Sequence, residues 1–143
     1  MASTSVSHSP LQTDTNQIYT AHLQTSILPE LESTRHLLLK IENDIAEYED
    51  LRKKIDELEK VDNVETLTEL GAGVWVEAVI SDTKIITLDL GLNLHLDMSL
   101  AEARRYTMKK TDILKMKRDT FSKKEEFLVW QVGQFHGAIT EVN

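Results

Sequence analysis

Residues 66–98, TLTELGAGVWVEAVISDTKIITLDLGLNLHLDM, decide the fold, because here the apolar spacing drops to two between flanks that repeat every seven. Alternation of this kind marks strands with one apolar and one wet face. It is clearest where Ile86, Leu88 and Leu90 oppose Thr87 and Asp89, and where Leu92, Leu94, Leu96 and Met98 oppose Asn93, His95 and Asp97. Turn chemistry at Gly71-Ala72-Gly73, at Ser81-Asp82-Thr83 and at Gly91 cuts the stretch into four strands: Thr66–Leu70, Val74–Ile80, Lys84–Leu90 and Leu92–Met98. Two hairpins are expected.

Before them, residues 17–62 read as a helix. Leu31, Thr34, Leu38, Ile41, Ile45 and Tyr48 alternate in steps of three and four, the spacing of a coiled-coil seam. Leu51, Ile55 and Leu58 continue the seam after one extra step of three, a stammer that overwinds the supercoil. Pro29 implies one of two things: the regular helix starts there, or a kink separates it from Ile18, Leu23 and Ile27. After the hairpins, Ser99 and Glu102 form a capping box that opens a helix over residues 99–142. Its seven-residue series runs through Leu100, Thr107, Leu114, Phe121, Leu128, Phe135 and Val142; the partner positions are weak at first and become apolar at Val132 and Ile139, and Lys110, Lys117 and Lys124 stand at seam-like positions. Residues 1–16, rich in Ser and Thr, read as a disordered tail, leaving 17–143 as a single domain.

The fold class is therefore α+β: a long antiparallel two-helix coiled coil with two β-hairpins, four short strands, between the helices. Helices of about 45 residues would each run roughly 65–70 Å and can only pair with each other. Hairpins left without a private core are marginal in water and present open edges. Other chains of the same plan, sharing strands in a barrel, would cover them. The expected subunit interface is Val74, Val76, Ile86, Leu88, Leu90, Leu92, Leu94 and Leu96, with Trp75 at the rim against a helix.

Composition narrows the function. The 143 residues carry 24 acidic and 16 basic side chains, net −8, which disfavours nucleic acid and anionic membranes as direct partners. There is no cysteine, hence no disulfide or thiolate metal site. No apolar run reaches the ~18 residues of a membrane span. The first basic residue is Arg35, so a secretory or transit signal is not expected, and the chain reads as soluble and intracellular. His8, His22, His36, His95 and His136 are scattered, with no HExxH, GxSxG or phosphate-loop motif to gather them. Gly71-Ala72-Gly73 lacks the third glycine and following helix of a dinucleotide loop. No catalytic residue, metal site or cofactor is expected.

In layout and in the hairpin segment the chain resembles the prefoldin family, specifically its alpha-type subunits. Leu70-Gly71-Ala72-Gly73, the Asp82-Thr83 turn, Leu90-Gly91 and Ala101-Glu102-Ala103 fall in that family's order and spacing. The family often has a glycine where Asn93 stands, and asparagine tolerates positive φ well enough to keep the turn. The resemblance implies a hetero-hexamer of prefoldin or prefoldin-like subunits, cytoplasmic and in some complexes nuclear. Such a complex holds unfolded or unassembled clients without ATP, for a chaperonin or for RNA polymerase assembly factors. The alternative within the family is a coiled-coil scaffold or transcriptional co-regulator with fixed partners. Client or partner binding is expected at the arm tip, on Phe127, Leu128, Trp130, Val132, Phe135 and Ile139.

Overall fold

A computed structural model describes the backbone of residues 10–141 and the side chains of residues 14–141. The first nine residues of the expected tail, His8 among them, and Val142 lie outside the described residues. The order of elements is α1 (Pro10–His22), a π-turn (Leu23–Ile27), α2 (Leu28–Leu58), β1 (Val64–Gly71), β2 (Val74–Ile80), β3 (Ile85–Asp89), β4 (His95–Ser99) and α3 (Leu100–Glu141). The fold is α+β. Residues 10–16, expected in the tail, are helical: Pro10 takes the first helical position, where its missing N–H costs nothing.

The chain divides into two units, residues 10–42 with 117–141, and residues 43–116. In the first, Leu23, Ile27 and Leu31 are buried with Leu128, and Val132, Phe135 and Ile139 pack against them. The helices run antiparallel there, since Tyr19 meets Phe135 edge-on with ring centroids 5.8 Å apart while Glu30 pairs with Lys124 at 2.8 Å. Arg35 and Glu125 pair at 2.7 Å.

Pro29 lies in the first turn of α2, and the helical backbone continues before it through the π-turn. A proline ring crowds the carbonyl four residues back, here that of Thr25, and donates no hydrogen bond to it. The π-turn spans Thr25, and its wider ring is closed by Leu28 N–H donating to the Leu23 carbonyl. The same turn solves a second problem. Leu23, Ile27 and Leu31 are spaced four and four, one residue more than a heptad, and a π-turn absorbs one residue, keeping all three in the seam.

In the second unit Ile55, Leu100 and Ala103 form the buried centre, flanked by Leu51, Leu58, Ile86, Leu88 and Met98. Arg104 reaches both Asp56 (2.8 Å) and Glu59 (2.7 Å), and Lys115 lies 3.6 Å from Glu49, again an antiparallel pairing of α2 with α3. The two carboxylates push the Arg104 guanidinium pKa up, Glu59 more than Asp56. Tyr48 sits 6.5 Å from Tyr106, and burial, then the neighbouring Tyr106, raises its pKa.

The seam of α3 corrects one expectation. Lys110, Lys117 and Lys124 are exposed and stand outside the seam, whereas the expected partner positions Val132 and Ile139 are half-buried, continuing a series of half-buried Thr111, Arg118 and Glu125. The seam-facing threonines Thr34 and Thr107 are buried without penalty, their hydroxyls donating to the Glu30 and Arg104 carbonyls of their own helices.

Candidate interaction surfaces

β1 and β2 form one antiparallel two-stranded sheet and β3 and β4 another. The register of the second hairpin sets Ile86 opposite Met98 and Leu88 opposite Leu96. Ile86, Leu88 and Met98 turn to the Ile55–Leu100–Ala103 cluster. Thr87 and Asp97 share the other face, where the threonine hydroxyl donates to the aspartate at 2.6 Å. The strand faces follow the alternation, but the cover for Ile86 and Leu88 comes from the chain's own helices, which the sequence reading had reserved for each other. Thr83 fastens the link between hairpins, its buried hydroxyl donating to the Val61 carbonyl at 2.5 Å.

Leu92 is a correction. It lies in the turn, not in a strand, with φ +53°, followed by Asn93 at +61°. Positive φ at consecutive positions suits a hairpin turn, and asparagine fits it, whereas leucine there is strained and its side chain is 96% exposed. The Leu94 N–H donates to the Gly91 carbonyl at 3.0 Å and the Leu90 N–H to the Leu94 carbonyl at 2.8 Å, so β4 begins only at His95. Leu90, Leu94 and Leu96 remain exposed.

The first hairpin has no such cover. Its two-residue loop, Ala72-Gly73, has positive φ at both positions and joins Gly71 to Val74. Val74, Val76, Leu67, Leu70, Val79 and Ile80 are all exposed. Trp75, expected against a helix, is exposed as well. Leu67, Leu70, Val79 and Ile80 are not among the expected interface residues. The signal for them was present: apolar residues stand on both parities of β1 and β2, more than a one-faced strand can use.

On the helices, the expected tip residues separate into two groups. Leu128 is buried, and Val132, Phe135 and Ile139 are half-buried in the seam against Leu23, Ile27 and Leu31. Phe127 and Trp130 lie on the opposite side of α3, more than half exposed and stacked on each other, with centroids 5.7 Å apart and planes 24° apart. Among the described residues no cluster of His, Asp or Glu could hold a metal ion, and no helix is long and apolar enough to cross a membrane.

Residues 27–143 match the family described as "Prefoldin subunit". The chain belongs to the prefoldin family. Two relatives make the likeness more specific. Protein UXT homolog of Dictyostelium discoideum is 29% identical over 71% of this chain, and Protein UXT of Bos taurus 30% identical over 59%. The matches span 62% and 55% of those proteins' own lengths. A chain from the cryo-EM structure of filamentous PFD from Methanocaldococcus jannaschii superposes with a TM-score of 0.66, covering 81% of this chain and 97% of its own, at 14% identity. That likeness concerns the fold. With two hairpins between its helices, the chain is a prefoldin-like subunit of the alpha type, similar to UXT.

Proposed function

We propose that the chain is a non-enzymatic subunit of a prefoldin or prefoldin-like hetero-oligomer, joined to neighbouring subunits through its strands and holding unfolded or unassembled proteins for folding or complex assembly. The observation that carries this is the first hairpin, exposed on both faces and unpaired at both edges among the described residues. A two-stranded sheet of that kind is marginal alone and templates further strands. Chaperonins or RNA polymerase assembly factors are the proposed recipients, in the cytoplasm or nucleus. Affinity purification of the tagged chain with mass spectrometry tests the reading. Recovery of several prefoldin-type subunits in fixed proportion is expected, and their absence would refute it.

A second reading, a scaffold or transcriptional co-regulator with fixed partners, is favoured by the closed helix seam. Leu128 and its neighbours are occupied by Leu23, Ile27 and Leu31, so of the expected tip residues Phe127 and Trp130 are the two left more than half exposed. Truncation after Lys124 would strip the cover from that cluster, so paired Phe127→Ser and Trp130→Ser substitutions are the cleaner probe. In the purified assembly they should leave subunit composition unchanged and weaken partner capture about tenfold, given the weight of exposed aromatics at interfaces. Undiminished capture would move binding elsewhere. Suppression of aggregation of an unrelated denatured protein separates the readings: the wild-type assembly shows it if clients are held, and a fixed-partner scaffold does not.

A further inference from the structure

The faces of the first hairpin differ in charge and exposure, and the difference specifies what covers it. Pairing of Thr66 with Ala78 and Thr68 with Val76 puts only neutral side chains on one face, where Val74, Val76 and Ile80 are 54%, 38% and 43% exposed. Pairing of Glu65 with Val79, Leu67 with Glu77 and Glu69 with Trp75 builds the other. There Leu67, Trp75 and Val79 are 61%, 57% and 66% exposed, set among three glutamates with no cation. Along β1 this face reads acid, apolar, acid at two-residue steps. The surroundings do not neutralise it. Residues 61–99 hold seven acidic side chains and one lysine, Lys84, which places −6 of the chain's −8 in this segment.

Resting on the assembly reading above, we infer that this face docks a cationic strand segment of a different subunit, with Lys or Arg alternating with apolar residues, and rejects the same face of a second copy. The apolar side chains need cover, and the unpaired edges of β1 and β2 offer backbone bonds to an added strand. Lysine or arginine at alternate positions would lay apolar stems over Leu67, Trp75 and Val79 while meeting the three carboxylates. A second copy would bring three more glutamates to the same surface. Like charges facing each other across a contact oppose association, and do so within about 10 Å at 0.1 M salt.

The test uses the full chain and a cationic mimic of itself, the triple variant Glu65→Lys, Glu69→Lys, Glu77→Lys. All three positions are exposed, so circular dichroism of the variant should match the wild type. Sedimentation equilibrium compares wild type, variant and their equimolar mixture at about 50 mM and about 500 mM salt, either side of the screening range. The mixture should associate about tenfold more tightly than wild type alone at low salt and lose that advantage at high salt. Glu65→Gln, Glu69→Gln, Glu77→Gln should strengthen self-association relative to wild type. A mixture no tighter than wild type, or one indifferent to salt, overturns the inference. If the tagged wild-type chain still recovers prefoldin-type subunits in that event, the assembly reading stands without it. Recovery of none takes down both.

Discussion

Both hairpins are antiparallel pairs of short strands, yet one is part of the folded core and the other is not. β3 and β4 are five residues each, and they commit Ile86, Leu88 and Met98 to Ile55, Leu100 and Ala103. β1 and β2 are longer, eight and seven residues, and bury almost nothing. Strand length and β-propensity therefore do not decide which hairpin is stable within the chain. The connections differ as well: β4 runs directly into α3, whereas β1 follows α2 through a short linker and β2 leads away.

The contrast can be broken most forcefully at its centre. Ile55→Ala removes a fully buried side chain that anchors the second hairpin, and should cost about 2–5 kcal/mol in denaturant unfolding of the full chain. Leu88→Asp sets a carboxylate against the same cluster and should cost about 2–3 kcal/mol. Val79→Asp, on the open hairpin, should stay within about 0.5 kcal/mol and impair only association. Equal losses for Leu88→Asp and Val79→Asp would mean that both hairpins are covered alike.

A smaller effect of opposite sign is expected at the turn of the covered hairpin. Leu92 holds a left-handed conformation with its side chain in solvent, so Leu92→Asn should raise stability by about 1 kcal/mol in thermal unfolding. No gain would show that leucine is held there by an unrecognised contact.

A pH-dependent effect is expected at the helix start that follows β4. Ser99 N–H donates to Glu102 at 3.0 Å, and Glu102 N–H to the Ser99 hydroxyl at 3.3 Å. The bond from the Ser99 backbone, then that from its hydroxyl, holds the Glu102 carboxyl below its ordinary value of 4.5. A lowered folded pKa stabilises fully above the unfolded value and fades as pH falls through the folded one. The stability difference between wild type and Glu102→Gln should therefore be constant near neutrality and shrink below pH 4.5. A difference independent of pH there would remove the capping box as its cause.

The sequence carried the element order and the capping box, because period two, period seven and Ser-x-x-Glu are local signals. It carried the faces of β3 and β4 for the same reason. Two features were only partly readable, each because the deciding partner is distant in the chain. Along α3 between Thr107 and Leu128 the candidates Lys110, Lys117 and Lys124 and Thr111, Arg118 and Glu125 are all polar, so only Val132 and Ile139 further on mark the side. Cover for Leu88 depended on Ile55, thirty-three residues earlier. The division at the end of α3 was local: Leu128 stands in the seven-residue series while Phe127 and Trp130 stand off it, and the first is buried against Leu23, Ile27 and Leu31 while the other two are exposed.

The π-turn at Leu23–Ile27 has a consequence for how the chain tolerates changes in length. It holds one residue of slack, so it is a place where α1 and α2 can be shortened without putting either out of phase. Deleting Thr25 together with Pro29→Ala, which removes the proline that the wide turn accommodates, would restore three-and-four spacing from Leu23 through Leu38. Helicity and melting temperature should stay near those of Pro29→Ala alone. The same deletion at exposed Leu39 would swing Leu38 and Ile41 to different sides of the helix, and the seam would come apart.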